Sequence, residues 1–204
     1  MANVPTSPTS SERMTNASDF WEDFEKYSPR LLAVIERGDV RRAFEALDHL
    51  LTGYGYTFCF DLAADERAAV LTFSPEGDPV VAEEIDAFLA HAPRLEGWRI
   101  NGRRERKDPR EVPRIIRQLY DLEIAEVRFL IDDGGHCGPR IAIYLPAAEP
   151  LSDQERVGLA AALLWHSLGE DLVLRERISA GIIPAPGPPG AITLHDLRQR
   201  FPAG

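Results

Sequence analysis

Residues 56–62, Tyr56-Thr57-Phe58-Cys59-Phe60-Asp61-Leu62, decide the fold because apolar and polar side chains alternate along them. A period of two is typical of a β-strand, so Phe58, Phe60 and Leu62 share one face. After a short polar loop, the run 69–73 has the same strand-like character. Two such runs joined by a short loop predict an antiparallel hairpin.

A second hairpin is predicted further along the chain. Its strands are Val127–Asp132 and Ile141–Leu145, joined by a Gly-rich tip over Asp133–Pro139. Leu172–Ile178 predicts one more strand. Segments with a helical apolar period lie before, between and after the hairpins, and their starts carry capping residues at Asp39, Asp78, Asp108 and Ser152. This order predicts an α+β fold, with a largely antiparallel sheet covered by helices on one face and an N-terminal helical segment before it.

Three regions are predicted along the chain. Residues 1–17 are rich in Ser, Thr and Pro and predict a disordered tail. Residues 18–180 predict a single α+β domain that includes the N-terminal helices. The first of these helices is capped at Ser18 or Asp19, the next begins at Ser28-Pro29, and another begins at Asp39. Residues 181–204 predict a Pro/Gly linker and a short C-terminal helix. No internal repeat is visible in the sequence.

Composition and charge narrow the classes of function. The chain has 204 residues, with 23 Lys and Arg against 33 Asp and Glu, so its net charge is -10. Such acidity disfavours nucleic acid and anionic membranes as partners. Neither a secretory signal nor an apolar run long enough to cross a membrane is present, and two widely separated cysteines are typical of reduced thiols. We therefore expect a cytoplasmic protein without a membrane partner.

Several short segments of the chain share one resemblance: residues 20–24, 71–77, 90–99, 168–171 and 194–197. These segments resemble a family of uncharacterised bacterial proteins that share a domain of unknown function. The Arg-rich stretch after Trp98 and residues 108–111 depart from the family pattern. The resemblance implies a bacterial, cytosolic α+β protein and implies no activity.

The tip of the second hairpin holds the residue types of a catalytic site. Asp132, Asp133, His136 and Cys137 lie close together in sequence, and a cysteine thiolate assisted by histidine is a known nucleophile. The alternative is a turn in which Asp and Gly provide the backbone angles, and we favour it because adjacent side chains on an extended chain point in opposite directions. No second Cys/His pair is present, so we predict neither a metal site nor a cofactor. We expect Cys59, between two phenylalanines, to be a small buried side chain.

A basic segment interrupts the acidic chain. Residues 99–117 carry 8 Lys and Arg against 3 Asp and Glu, a local charge of +5. Such a segment could bind a phosphate-bearing ligand or an acidic partner, or it could be a solvated surface or an internal partner of acidic helices. The candidate binding residues are Arg99, Arg103, Arg104, Arg106, Lys107 and Arg110.

The chain is acidic overall and has no recognisable reaction site. Our leading hypothesis is therefore a non-catalytic protein that acts through protein–protein interaction. It would serve as a regulator, an adaptor or a toxin-neutralising immunity protein with an unknown protein partner, because electrostatic complementarity speeds such encounters. One alternative is a cysteine-dependent hydrolase or transferase that uses Cys137. Another is a small-ligand sensor with a pocket between sheet and helices near the basic segment.

Overall fold

The computed structural model of the chain describes residues 10–65, 68–135 and 138–202, of which residues 10–15 are described by their backbone alone. The chain divides into two compact units, residues 1–102 and 103–204. Their buried apolar side chains form two clusters, one between residues 17 and 100 and one between residues 112 and 201. We expected one α+β domain over residues 18–180, but each unit has a core of its own.

The first unit consists of a pair of helices, a hairpin, a third helix and a third strand. Strands β1 and β2 pair antiparallel, and β3 adds to β2 in parallel. The elements are α1 (Ser10–Glu36), α2 (Val40–Gly53), β1 (Cys59–Ala64), β2 (Ala69–Ser74), α3 (Pro79–Leu89) and β3 (Trp98–Asn101).

Helix α1 differs from the prediction at both of its expected boundaries. It begins at Ser10, inside the segment predicted to be disordered, and it runs through Pro29 without a break. Pro29 has no N–H to offer to the carbonyl of Glu25, one helical turn earlier. The hydroxyl of Ser28 donates to that carbonyl at 3.0 Å. The side chain that we expected to start a second helix thus satisfies the acceptor that the proline leaves open.

Aromatic side chains fill the core of the first unit. Phe20, Trp21 and Phe24 lie on one face of α1 and are almost fully buried. The ring of Phe20 lies 5.0 Å from that of Phe88 on α3, and the indole N–H of Trp21 donates to the carbonyl of Phe88 at 2.8 Å. Close to it, the Ser18 hydroxyl and a ring nitrogen of His91 are 3.0 Å apart. These contacts attach α1 to the end of α3.

The second unit repeats the pattern of helix, hairpin, helix and strand. Strands β4 and β5 pair antiparallel, β6 adds to β5 in parallel, and Leu197 of the last helix is fully buried. The elements are α4 (Val112–Tyr120), β4 (Arg128–Asp132), β5 (Arg140–Tyr144), a turn of 3-10 helix (Pro146–Ala148), α5 (Asp153–Leu168), α6 (Glu170–Arg175), β6 (Ser179–Ile183) and α7 (Leu194–Arg200).

The predicted strand over Leu172–Ile178 is misplaced. Residues Glu170–Arg175 form helix α6, with Leu172 and Val173 buried, and the strand follows at Ser179–Ile183. The apolar run at its start, Leu172-Val173-Leu174, is too short for its period to distinguish a buried helix from a strand.

The α+β class is confirmed, although the strands form two small mixed sheets rather than one. Each sheet has one face against its core and one open face. In the first, Phe60, Leu71 and Phe73 are buried, whereas Cys59 is exposed, contrary to expectation. In the second sheet, Phe129, Ile141 and Ile143 are buried, and the open face bears Leu130, Asp132 and Arg140.

Candidate functional site

The predicted catalytic cluster lies at the tip between β4 and β5. Asp132 and Asp133 are exposed there, and the Asp132 carboxylate accepts the N–H of Gly134 at 3.3 Å. A guanidinium nitrogen of Arg200 lies 3.5 Å from the carboxylate of Asp133. His136 and Cys137 lie outside the described residues, so their use in catalysis stays a prediction.

The glycines of this tip have backbone conformations that other residues rarely adopt. Gly134 and Gly135 both have φ of 60°, and Gly138 has φ of 85°. A Cβ at Gly138 would lie 2.6 Å from the carbonyl oxygen of Arg177, which is too close for real contacts. These glycines are needed for the course of the backbone, which supports the turn interpretation of the tip.

Part of the basic segment is built into the second unit. The side chain of Arg104 is only 13% exposed, and its guanidinium lies 4.9 Å from the ring centroid of Trp165. The backbone N–H of Arg104 donates to the carboxylate of the fully buried Glu170 at 3.1 Å. Arg103 beside it is half-buried. Arg104 therefore packs against helices α5 and α6 rather than facing solvent.

Arg106 holds the C-terminal helix. Its guanidinium donates to the carbonyls of Arg198 and Phe201, each at 3.1 Å, where α7 ends. In return, the Arg198 guanidinium donates to the carbonyl of Lys107 at 2.5 Å. Burial lowers the pKa of both Arg106 and Arg198. These contacts provide donors for the carbonyls at the end of α7, which have no N–H donor within the helix.

Lys107 is half-buried, and four other basic side chains of the segment are exposed. Arg99, on β3 of the first unit, lies 3.2 Å from Asp65, and Arg117 pairs with Glu123. Arg110 and Arg114 are exposed. The candidate binding residues thus divide into a group that stabilises the second unit and a group on the surface. Position in sequence alone gave no signal for this division.

Sequence reasoning missed how unevenly the charge is distributed. Residues 1–102 carry 9 Lys and Arg against 18 Asp and Glu, a net charge of -9. Residues 103–204 carry 14 against 15, a net charge of -1. The acidity of the protein is therefore a property of its first unit. Exposed carboxylates lie on all three helices of this unit, at Asp19, Glu22, Glu25, Glu36, Glu45, Asp48, Glu83 and Asp86.

Tyr54, which follows α2, lies beside three carboxylates of α1. Its hydroxyl donates to the carboxylate of Asp23 at 2.7 Å, and Lys26 lies 2.9 Å from the same carboxylate. The hydrogen bond to Asp23, burial, and the charges of Asp23, Asp19 and Glu22 together raise the pKa of Tyr54 to about 12. The same hydrogen bond and the one from Lys26 lower the pKa of Asp23. Asp19, Glu22, Asp23 and Tyr54 are called the Tyr54 patch below.

The open face of the second sheet forms a shallow groove of about 840 Å³. Ala142 and Gly181 make its floor, and the exposed Leu130 and Ile183 lie along it. The small-ligand hypothesis expected a pocket between the sheet and its helices, whereas this groove lies on the opposite face. It opens along β6, the last strand of the sheet.

The described residues show neither a metal-binding cluster nor a membrane-spanning helix. They contain no group of three or more His, Cys, Asp or Glu side chains able to hold a metal ion. No helix in this part of the chain has both the length and the apolar character to cross a membrane. Comparison with known proteins is equally sparse: no family model, no curated protein and no solved structure gives a significant match to this chain.

Proposed function

We propose that this is a non-catalytic, cytoplasmic protein that binds a basic protein partner through its first unit, as a regulator, an adaptor or a toxin-neutralising immunity protein does. The observation that carries the proposal is the charge of -9 on residues 1–102 beside only -1 on the rest of the chain. Opposite charge on a partner would accelerate encounter and favour the correct orientation.

The Tyr54 patch is a part of this surface where carboxylates lie beside an aromatic ring. Asp19 and Glu22 are exposed, and the Asp23 side chain is 37% exposed. A partner's Arg or Lys would find several carboxylates within one turn of α1, beside the ring of Tyr54. Arg in particular binds both carboxylates and aromatic rings.

The test begins with co-purification of the protein from its native host at moderate salt, followed by binding measurements with the recovered partner. Asp19→Asn with Glu22→Gln removes two exposed carboxylates of the Tyr54 patch and leaves the Asp23–Tyr54 hydrogen bond in place. Glu126→Gln with Glu149→Gln removes two exposed carboxylates of the second unit and is the matched control.

We expect the first pair to slow association about tenfold and to weaken its salt dependence, and the control pair to change little. Equal effects of the two pairs would contradict the role of the first unit. Failure to recover a stoichiometric partner, or recovery of an acidic one, would contradict the proposal as a whole.

A further inference from the structure

On the outer side of strand β6, the part of the chain that the structure describes provides no backbone partner. The N–H of Ser179 donates to the carbonyl of Pro139, and the carbonyl of Ile183 accepts the N–H of Leu145, both at 3.0 Å on the β5 side. Because backbone groups alternate along a strand, those of Ala180 and Ile182 point away from β5. Within the described residues, neither of them forms a backbone hydrogen bond on that outer side.

Edge strands are usually protected against pairing with other chains by charge, proline or a covering segment. In the first sheet, β1 carries Asp61 and β3 carries Arg99. In the second sheet, β4 is covered: Phe129 and Ile192 exchange two backbone hydrogen bonds, of 2.9 and 2.8 Å. Strand β6, with the sequence Ser-Ala-Gly-Ile-Ile, has no charge and no proline within it.

We propose that the outer edge of β6 pairs with the same edge of a second copy of this chain, antiparallel and centred on Gly181. Under two-fold symmetry, Gly181 faces Gly181 of the other copy, and Ala180 faces Ile182. The backbone groups of Ala180 and Ile182 then form four hydrogen bonds between the copies. The two three-stranded sheets become one sheet of six strands, and no free β6 edge remains.

Charge favours a second copy as the occupant. The second unit has a net charge of only -1, so two second units meet without the repulsion expected between two first units of -9 each. The chain after β6, from Pro184 to Ile192, is uncharged. Within the pairing segment Ser179–Ile183 no residue is charged, so the centred register opposes no like charges.

The charge distribution also disfavours the basic partner of the first unit as the occupant of the β6 edge. The strand has no carboxylate with which to attract such a partner. Self-pairing through β6 is therefore independent of that function. Because the strand is only five residues long, the dimer buries little surface and should dissociate on dilution.

The position of Gly181 on the two-fold axis allows a sharp test. A Cβ added there meets no atom within 4 Å, so side chains are tolerated in the monomer. Gly181→Asp places two carboxylates opposite each other in the dimer, and Gly181→Lys places two ammonium groups there. An equimolar mixture of the two variants instead places opposite charges together. Gly181→Ser is the uncharged control.

Sedimentation equilibrium of the full chain over a wide concentration range measures the result. We expect the natural chain and Gly181→Ser to dimerise at high concentration, each charged variant to dimerise at least about tenfold more weakly, and the mixture to recover association. A natural chain that stays monomeric at all concentrations would overturn the proposal. So would a mixture that associates no better than its components, because the contact would then lie elsewhere.

Ala180→Pro provides a second measurement. It removes an outward N–H and leaves the bonds between β6 and β5 intact, whereas Ala180→Ser retains the N–H. Loss of two of the four bonds between copies should weaken dimerisation about tenfold or more in the proline variant alone. Equal dimerisation of the two variants, with far-ultraviolet circular dichroism showing both folded, would exclude pairing through this edge.

Discussion

Arg104 and Glu170 are joined both by their backbones and through their side chains. The N–H of Glu170 donates to the carbonyl of Arg104 at 2.9 Å, and the Glu170 carboxylate accepts the N–H of Arg104 at 3.1 Å. A guanidinium nitrogen of Arg104 lies 4.0 Å from the same carboxylate, which is fully buried. An acidic residue at the start of α6 thus fixes the beginning of the second unit.

Replacing Glu170 should strongly destabilise the second unit. Glu170→Ala leaves the Arg104 guanidinium and backbone N–H without this acceptor, and breaking a buried pair in this way costs about 3 kcal/mol. Glu170→Gln keeps an acceptor and should cost less. Chemical denaturation measures the free energy of unfolding. Asp171→Ala, which removes an exposed carboxylate next in sequence, is the control and should cost under about 1 kcal/mol. A loss for Glu170→Ala no larger than that control would contradict the structural role.

Arg106 and Arg110 should behave differently although they lie four residues apart. Arg106→Met removes two hydrogen bonds to the end of α7 and should loosen that helix. Arg110→Met changes an exposed side chain and should not. Hydrogen exchange at the amides of Leu197 and Phe201 measures the effect, and we expect about tenfold faster exchange in the Arg106 variant. Similar protection in both variants would show that the guanidinium contacts do not hold α7.

Ser28 and Pro29 should be energetically coupled. Ser28→Ala removes the donor to the Glu25 carbonyl and should cost about 1 kcal/mol. In a chain that already carries Pro29→Ala, residue 29 has an N–H for that carbonyl, so the same substitution should cost less. Urea denaturation of the two single variants and the double variant gives the coupling energy. Additive effects would mean that the serine hydroxyl does not compensate for the proline.

Tyr54 should ionise late in an alkaline titration. Its pKa is raised from 10.0 to about 12, so the folded protein holds this proton more tightly than the unfolded chain does. The resulting stabilisation is complete below pH 10 and is lost as the pH rises towards 12. The ultraviolet absorbance of tyrosinate, compared with that of Tyr54→Phe, isolates this group. Asp23→Asn should lower the pKa of Tyr54. An unchanged titration in that variant would exclude Asp23 as the main cause.

Local patterns in the sequence predicted most of the elements. The capping box at Ser152 and Glu155 forms as expected, and helix α5 ends before Gly169. Asp39 and Asp78 cap α2 and α3. These motifs succeed because each depends on residues three or four positions apart. Both hairpins were likewise predicted from local patterns, the first from the alternation over residues 56–62 and the second from its Gly-rich tip.

Two kinds of feature were not predictable in this way: the role that a local side chain takes, and contacts between residues distant in sequence. Whether a proline interrupts a helix depends on what else satisfies the exposed carbonyl, as Ser28 does for Glu25. Whether an arginine is a surface charge depends on the helices folded around it, as with Arg104 beside Trp165. The matching order of elements in the two units was not predicted, because no repeat of residue types marks it in the sequence.

The three tryptophans are divided between the two units, so their fluorescence can follow each unit separately. Trp21 and Trp98 belong to the first unit, and Trp165 belongs to the second. Replacing Trp165 with phenylalanine leaves an emission spectrum that comes from the first unit alone. Replacing Trp21 and Trp98 leaves only Trp165, which lies beside the Arg104 guanidinium. Its fluorescence then comes from the second unit. Melting of either half can therefore be followed by fluorescence in the intact chain.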